Sequence, residues 1–440
     1  MRTFARRCHP ELSRPPGKTP GSMLYLALTN TSRTHCGILE ARKLSLFQLW
    51  CENMRVLVLH NRYQVAGGED AAVRQEVSML RQAGAAVDLL EVSNDYITGL
   101  RQRAAVAFNL AYSTRARELV RVRIAEFRPE IVHVHNFFPV LTPAIYDADS
   151  HIPFIQTLHN YRLLCANALL FRDNSPCEKC LGKNIPWPAV YHACYQGSRT
   201  GSAAIALMSA VHKFRHTWNT RVSRFIALTE FARALFVRHL GVDPAKIVVK
   251  PNSAADPGLG DGKGGYALYA GRFSSEKGIA TLIEAAENGL GMPLKVAGTG
   301  PLSASVEHAA AKGVLEYLGS QSHSEVARLM QGARALLLPS LCYEGVPMVI
   351  PEAFATGLPV IASNIGALSS LVAHGQNGLL APPGNAPALA QAVRMIATEP
   401  DLESSLRTEA RRTYERQYRP EVNVQSLFEI YRRALSEPCG

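Results

Sequence analysis

Short runs of branched aliphatic residues alternate with longer helical stretches from Met54 onward, and this alternation restricts the fold most. Strands that are separated by helices of this length need right-handed crossovers and therefore form parallel sheets. The runs fall into two sets, which predicts an α/β protein with two Rossmann-like, doubly wound domains. The first set is 55–59, 87–92, 131–135, 154–159 and 225–229, and the second is 247–251, 267–271, 294–297, 315–318, 335–338 and 360–362.

Turn residues divide the chain into units. G-V-D-P at 241–244 marks the boundary between the two domains. The predicted units are an N-terminal extension that is poorly structured or non-native (1–53), a first domain (54–244), a second domain (245–420) and a final helix (421–440) that packs back on the first domain. Two open parallel sheets that face each other leave a cleft at their carboxyl edges, where ligands bind in such folds.

The N-terminal extension carries eight basic and three acidic residues and lacks the long apolar stretch of a secretory signal. A genuine targeting or docking arm is the alternative interpretation. Because the extension supplies much of the net charge of +11, the charge of the remaining chain does not indicate a nucleic-acid partner. No apolar run approaches the roughly 20 residues of a membrane-spanning helix. We expect a cytoplasmic protein, and its nine cysteines favour reduced thiols or a metal site over disulfides.

Glycine-containing turns follow several predicted strands. A-G-G-E-D at 66–70 places Gly68 before a helix, where the backbone can approach a ligand and free N–H groups are available. An ordinary turn glycine is the alternative. V-A-G-T-G-P at 296–301 contains Gly298 and Gly300 but lacks the third glycine and the following acid of a dinucleotide site. A tight turn near a ligand is therefore favoured over a nicotinamide site.

Two cations, Arg272 and Lys277, lie in A-G-R-F-S-S-E-K-G at 270–278. At the end of a strand and five positions apart, they can converge on one anion such as a diphosphate and neutralise it as a leaving group. Two solvated surface cations are the alternative.

Two carboxylates, Glu344 and Glu352, lie eight positions apart in the nearly uncharged run Y-E-G-V-P-M-V-I-P-E. We expect Pro347 in the first turn of a helix, with Gly345 and Val346 presenting amides at its positive end. Glu352 inside that helix can accept hydrogen bonds from ribose hydroxyls, and Glu344 in the preceding loop can reach a sugar ring. In the alternative interpretation, Glu344 is an acid that complements the helix dipole and Glu352 is a solvated helix residue. The apolar surroundings of Glu352 weaken this alternative, because burying an unpaired acid is costly.

With these motifs the chain resembles the retaining glycosyltransferase family 4, which has the GT-B architecture of two facing Rossmann-like domains with an interdomain cleft. The resemblance covers roughly residues 54–435. It rests on the E-x7-E spacing, the early G-G turn, G-R-x-x-x-E-K-G, V-A-G-T-G-P and E-A-F-A-T-G-L-P-V-I-A-S. One departure is Ser370, which stands where many relatives have an acid.

The resemblance implies transfer of a sugar from a nucleoside diphosphate donor to a hydroxyl acceptor, with retention and without a catalytic metal. Arg272 and Lys277 would hold the diphosphate, Glu352 the ribose, and Glu344 the transferred sugar. His159, in T-L-H-N, matches a histidine that lies beside the donor sugar, although a purely structural histidine is the alternative. The remaining implied donor contacts are Gly68, Gly298, Gly300, Leu318, Gly345, Val346 and Pro347.

The expected role is therefore a glycosyltransferase of cell-surface polysaccharide or glycolipid assembly, with a glycan or a lipid-linked acceptor. A GT-B nucleotide-sugar epimerase or hydrolase is the first alternative. A catalytically silent nucleotide-sugar binding module is the second, and the intact set of Arg272, Lys277, Glu344 and Glu352 argues against it.

Four cysteines, Cys165, Cys177, Cys180 and Cys194, cluster in a loop at 165–194 with the spacing C-x11-C-x2-C-x13-C. One tight pair with two flanking cysteines can hold a structural zinc ion that fixes an irregular loop. Ordinary reduced thiols and redox chemistry are the two alternatives.

Residues 199–238 carry seven basic residues and one acid next to an apolar segment. This pattern predicts a peripheral contact with an anionic membrane at its cytoplasmic face. A solvated helix face is the alternative.

Overall fold

A computed structural model of the chain describes residues 53–64 and 67–437. Except for Asn53, the predicted N-terminal extension lies outside the described residues, as do residues 65–66 and 438–440. None of the described helices is both long and apolar enough to cross a membrane.

The first domain is built on a parallel sheet whose strands are separated by helices. Its strands are β1 (Arg55–Arg62), β2 (Ala86–Ser93), β3 (Ile131–Asn136), β4 (Phe154–Leu158), a hairpin of β5 (Phe171–Arg172) and β6 (Ser175–Pro176), β7 (Arg224–Ala227) and β8 (Ile247–Val249). Its helices are α1 (Gly68–Gln82), α2 (Leu100–Asn109), α3 (Thr114–Phe127), α4 (Trp187–Tyr191), α5 (Arg199–Phe214), α6 (Thr217–Thr220) and α7 (Glu230–His239). The sheet order is β2-β1-β3-β4-β7-β8.

The second domain repeats this plan. Its strands are β9 (Ala267–Ala270), β10 (Leu294–Ala297), β11 (Glu316–Tyr317), β12 (Ala335–Leu338), β13 (Val360–Ser363) and β14 (Gly378–Ala381), in the order β11-β10-β9-β12-β13-β14. Its helices are α8 (Ile279–Glu287), α9 (Ser303–Ala311), α10 (His323–Gly332), α11 (Val349–Ala355), α12 (Leu368–Leu371), α13 (Ala386–Thr398) and α14 (Pro400–Gln417). Alternate residues of β12 belong to two different hydrophobic clusters, so both faces of this sheet are covered, as parallel sheets require.

The sequence placed residues 247–251 in the second set of strands, and this was wrong. β8 pairs with β7 in parallel, with Ile247 opposite Phe225, so it completes the first sheet beyond the predicted boundary at 244. The turn at Gly241 is followed by a short 3-10 turn, Pro244–Lys246, which Asp243 caps and which returns the chain to the same sheet. The sequence also missed β14, a four-residue strand at the edge of the second sheet.

The last described helix, α15 (Pro420–Ser436), follows the second domain but packs against α1 of the first. Its Tyr431 hydroxyl lies 2.8 Å from Nδ1 of His133 on β3. The core of the first domain therefore includes a helix from the far end of the chain.

Each sheet reverses its strand order at one point. β1 lies between β2 and β3, and β9 lies between β10 and β12, so successive connections leave these strands in opposite directions. The loops that follow such strands diverge and leave a crevice at the carboxyl edge. The site residues predicted from sequence lie mostly in these loops.

Candidate active site

A partly buried ion pair, Lys277 with Glu344, lies at the carboxyl edge of the second sheet. Lys277 Nζ is 2.7 Å and 2.8 Å from the two carboxylate oxygens of Glu344, and Ser340 Oγ donates to Oε1 over 2.7 Å. Burial alone would lower the pKa of Lys277, but the Glu344 carboxylate raises it, so the ammonium stays charged. The sequence predicted that Glu344 reaches a sugar ring from its loop and that Lys277 converges with Arg272 on one anion. In the structure, Lys277 holds Glu344, while Arg272 is exposed and forms no ion pair with a described residue.

The glycines of the second domain allow its loops to stack closely. A Cβ on Gly298 would lie 1.9 Å from the carbonyl oxygen of Gly271, and one on Gly300 would lie 2.3 Å from that of Phe273. The backbone of Leu318 donates to Val296 over 2.9 Å at the neighbouring strand. The loops that carry Arg272, Gly298 and Leu318 thus form one continuous rim, as a ligand crevice requires.

The E-x7-E segment differs locally from the prediction. Pro347 does not occupy the first turn of a helix, because α11 begins at Val349 with Met348 as its N-cap. Gly345 and Val346 therefore lie in a loop and not at the helix terminus. Glu352 lies within α11, as predicted, and its carboxylate is 3.2 Å from Nε2 of His323. It is thus a paired, largely buried acid at the rim of the crevice.

The two domains contact each other directly beside Glu344. A Cβ on Gly345 would lie 2.7 Å from the carbonyl oxygen of His159, and the Tyr161 hydroxyl donates to the Glu344 carbonyl over 3.0 Å. A Cβ on Gly68 would meet the Met348 side chain at 3.5 Å. The predicted residues Gly68 and His159 of the first domain therefore face the predicted loop of the second.

His159 belongs to a buried polar network that the sequence did not reveal. Its Nε2 lies 2.9 Å from Nδ1 of His135, and burial holds the pKa of His159 well below its usual range. Nε2 of His135 lies 3.1 Å from Oε1 of Glu76, which in turn is 3.2 Å from Nδ1 of His133. Lys250 Nζ is 3.0 Å from Oε2 of Glu76. The H-x-H pattern in V-H-V-H-N was the one available signal.

A second carboxyl group that the sequence did not single out, Glu69, lies beside this network. The Tyr63 hydroxyl and the Asn160 amide donate to its Oε2 over 3.1 Å and 3.2 Å. Its Oε1 is buried and takes no hydrogen bond from a described residue. Burial raises the pKa of Glu69 to about 8. The available sequence signal for Glu69 was its position directly after the G-G turn.

The cysteine loop at 165–194 keeps its four cysteines as free, half-buried thiols. Burial raises the pKa of Cys165 and Cys194, and it raises that of Cys180 to about 11. Thiols of this kind are weak nucleophiles at neutral pH, which disfavours redox chemistry. Within the described part of the chain, the three ligand atoms that lie close enough for a metal ion come from Glu76, His133 and His135, and not from the cysteines. The structural zinc stays a prediction.

Several cations of the basic segment 199–238 already have partners. Arg215 lies 2.8 Å and Arg221 3.2 Å from the carboxylate of Asp147, and Arg224 binds Glu437. The exposed apolar residues of this region are Leu207 and Phe214 on α5. On α2, which contacts α5 and buries none of its residues, Leu100 and Phe108 are 85% and 88% exposed.

Two family descriptions together match most of the chain. Residues 53–253 match "Glycosyl transferase 4-like domain", and residues 255–413 match "Glycosyl transferases group 1". Each match covers one of the two sheets described above.

The curated relatives agree with this assignment. The chain is 30% identical over 224 residues to the amylovoran biosynthesis glycosyltransferase AmsK of Erwinia amylovora, covering 48% of this chain and 53% of the relative. It is 25% identical over 372 residues to a phosphatidyl-myo-inositol mannosyltransferase of Mycolicibacterium smegmatis, covering 79% and 86%. The chain spans about half the length of the first curated relatives it matches.

Among solved structures, Anabaena Alr3699/HepE in complex with UDP-glucose superposes with a TM-score of 0.60 at 16% identity, covering 87% of this chain and all of the other. A similarity at 16% identity shows the shared GT-B fold. The two family matches, with this fold, show that the chain belongs to the family 4-like glycosyltransferases of the GT-B fold.

Proposed function

We propose that the protein transfers a sugar from a nucleoside diphosphate donor to a hydroxyl group, with retention of anomeric configuration, in the assembly of a cell-surface polysaccharide or glycolipid. The observation that carries the proposal is the partly buried Lys277–Glu344 pair at the switch point of the second sheet, facing His159 across the domain contact at Gly345. The relatives support the sugar-transfer class, and HepE, whose complex contains UDP-glucose, supports a nucleotide-sugar donor.

The ion pair suits a diphosphate leaving group. A lysine ammonium has three N–H donors, and Lys277 uses two of them on Glu344. The third can bind a phosphate oxygen, so one side chain can connect the leaving group with the acid beside the sugar. Arg272, exposed in the same loop, supplies a second positive charge as the bond to the sugar breaks. The acceptor hydroxyl would attack from the face that the diphosphate leaves, and no catalytic metal is needed in this scheme.

A donor screen tests this proposal. We expect one class among UDP-, GDP- and ADP-sugars to bind in calorimetry, and Lys277→Ala to weaken that binding at least tenfold, because the variant loses a phosphate contact. Lys295→Ala is the matched control, since Lys295 lies on β10 and pairs with Glu316 outside the crevice. If no sugar nucleotide binds, the proposal fails.

We also infer a cytoplasmic location, with a peripheral membrane contact that brings the enzyme to a lipid-linked acceptor. The support is the exposed pair Leu100 and Phe108 on α2, whose helix also carries Arg101 and Arg103, beside the exposed apolar residues of α5. Apolar residues flanked by cations favour the interface of an anionic bilayer.

Sedimentation with liposomes tests the membrane contact. The full chain is expected to sediment with vesicles of phosphatidylglycerol and phosphatidylcholine, and less with phosphatidylcholine alone. Leu100→Ser with Phe108→Ser should reduce the bound fraction, because it removes the inserted apolar surface. Equal sedimentation with both lipid compositions would count against the contact.

A further inference from the structure

Arg162 lies in the segment that follows β4, next to the contact between the two domains. Two neighbours in this segment face the second domain: the His159 carbonyl oxygen approaches Gly345, and the Tyr161 hydroxyl donates to the carbonyl oxygen of Glu344 over 3.0 Å. Arg162 is half-buried and, together with His159, lines a narrow crevice at the carboxyl ends of β3 and β4. Its guanidinium group therefore lies beside the candidate active site, on the side of the first domain.

Two aromatic rings and one carbonyl group hold the guanidinium of Arg162. Its Cζ lies 4.2 Å from the ring centroid of Phe138 and 5.6 Å from that of Tyr195. Its Nη1 donates a hydrogen bond to the carbonyl oxygen of Ala166. These contacts fix the position of the group, but a ring face and a carbonyl oxygen do not neutralise its charge.

The opposite edge of the guanidinium is available to a ligand. Nε and Nη2 of Arg162 form no hydrogen bond with a described residue, and neither atom is sealed from solvent. These two N–H groups point in parallel and match the two oxygens of a carboxylate or a phosphate. Arg334, a half-buried arginine of the second domain, uses the same edge on Glu403 over 2.9 Å and 2.5 Å. Arg162 thus offers a fork of two donors to an anion.

The positive charge of Arg162 is not balanced by an ion pair with a described residue. Burial lowers the pKa of Arg162, but a guanidinium stays charged in proteins. The nearby carboxyl group of Glu69 takes its hydrogen bonds from Tyr63 and Asn160 instead. Burial raises the pKa of Glu69 to about 8, so this acid keeps its proton at neutral pH. A half-buried cation without an anion is costly, and an anionic ligand would remove that cost.

We propose that the Nε–H and Nη2–H groups of Arg162 bind an oxyanion carried by the acceptor, a phosphate or a carboxylate, so that the enzyme acts on acidic acceptors. The inference rests on the proposed function, in which donor and acceptor meet at the domain contact. The cations proposed for the donor diphosphate, Arg272 and Lys277, belong to the second domain. Arg162 lies on the other side of the contact at Gly345, which assigns its anion to the acceptor.

Nitrogen NMR of the full chain, labelled with ¹⁵N in its arginines, observes the fork directly. The Nε–H signal of Arg162 is assigned by its loss in Arg162→Lys and by its displacement in Phe138→Leu, which removes a ring that lies against it. We expect methyl phosphate, acetate or both to shift this signal saturably, and sodium chloride at the same ionic strength to leave it in place. A response to methyl phosphate alone would identify a phosphate, and a response to acetate alone a carboxylate. No shift with either anion would overturn the proposal.

Nucleotide titration separates an acceptor site from the donor site. Whichever of UDP, GDP and ADP binds should leave the response of the Arg162 signal to the anion unchanged. A nucleotide that shifts this signal and blocks the anion would place Arg162 in the donor site, which also overturns the proposal. If none of the three nucleotides binds, the proposed function is in question, while the anion titration still decides whether Arg162 is an anion site.

Two lysine variants distinguish the fork from a positive charge alone. Arg162→Lys keeps the charge but has no pair of parallel donors, so calorimetry with nucleotide present should show an affinity for the anion about tenfold lower. Arg115→Lys is the matched control, because Arg115 is exposed on α3 and should give the wild-type affinity. Equal affinities of the wild type and folded Arg162→Lys would contradict binding by the fork.

Discussion

Glu344 and Glu352 share one motif but have different neighbours, and we expect this difference to give them separate roles. Glu344 is buried against Lys277 beside the domain contact, whereas Glu352 meets the exposed side chain of His323 at the rim. Loss of an electrostatic contact at the reacting sugar lowers turnover, whereas loss of a ribose contact weakens donor binding.

We expect Glu344→Gln to lower kcat about 100-fold, and Glu352→Gln to raise the donor Kd about tenfold with a smaller change in kcat. Steady-state kinetics and calorimetry would measure both values. Glu316→Gln, outside the crevice, should change neither. Equal effects of both substitutions on kcat and Kd would refute the division of roles.

Glu69 should make stability depend on pH in an unusual direction. Because burial raises the folded-state pKa of Glu69 to about 8, the folded protein keeps a proton that the unfolded chain has lost above about pH 4.5. Stability should therefore fall as the pH rises from 5 to 8. Glu69→Gln removes this dependence. The stability of the variant relative to the wild type should therefore be about 1–3 kcal/mol higher at pH 8 than at pH 5. Urea unfolding at both pH values measures it, with Glu118→Gln as an exposed control.

The loop between β12 and α11 depends on a glycine for its contact with the end of β4. In Gly345→Ala the new methyl group would lie 2.7 Å from the His159 carbonyl oxygen, so the two loops must separate. We expect kcat/KM to fall at least tenfold with a stability loss of about 1–2 kcal/mol. Gly99→Ala is the control, because its methyl group meets only the movable end of Gln102. Wild-type kinetics in Gly345→Ala would show that this contact has no role in catalysis.

The structural zinc ion that the sequence predicts for the cysteine loop can be tested by metal analysis. If a structural zinc ion fixes the loop, metal analysis of the purified protein should find about one zinc per chain, and Cys177→Ser with Cys180→Ser should lose it. Cys342→Ser, a buried cysteine outside the loop, should keep it. Protein that is free of zinc and iron yet fully folded would leave ordinary reduced thiols as the interpretation.

The alternation of strands and helices was enough to predict two parallel sheets and most of their strands, because most strands carry their own apolar signal, but it missed β14. It was not enough for β8, since a three-residue strand after a turn does not reveal which sheet it joins. In the candidate site, motif spacing singled out Arg272 with Lys277 and Glu344 with Glu352, because each pair is local in sequence. It did not predict that Lys277 pairs with Glu344, which is 67 residues away. It could not reveal the network around Glu76, whose partners come from β3, the segment after β8 and α15. Such a network depends on tertiary packing that no local pattern records.

The last described helix, α15, packs as part of the first domain. Its Phe428 and Tyr431 are buried, and its Asn423 binds Lys250. A chain that ends at Arg419 should therefore leave the Glu76–Lys250 pair open to water and lose apolar burial worth several kcal/mol. We expect such a variant to be insoluble or to unfold without a cooperative transition in circular dichroism. A variant that keeps residues 420–437 but carries Glu429→Gln should unfold like the wild type. Cooperative unfolding of the shortened chain at an unchanged temperature would contradict this account.

The position of α15 also affects the order of events during synthesis. A ribosome makes the first domain before the second, and domains of many proteins fold as soon as they emerge. Here the first domain can acquire its sheet early, but its surface for α15 stays uncovered until the second domain has been translated. The nascent chain therefore carries an unfinished domain through most of elongation, and chaperones that bind apolar segments have their longest opportunity at that surface.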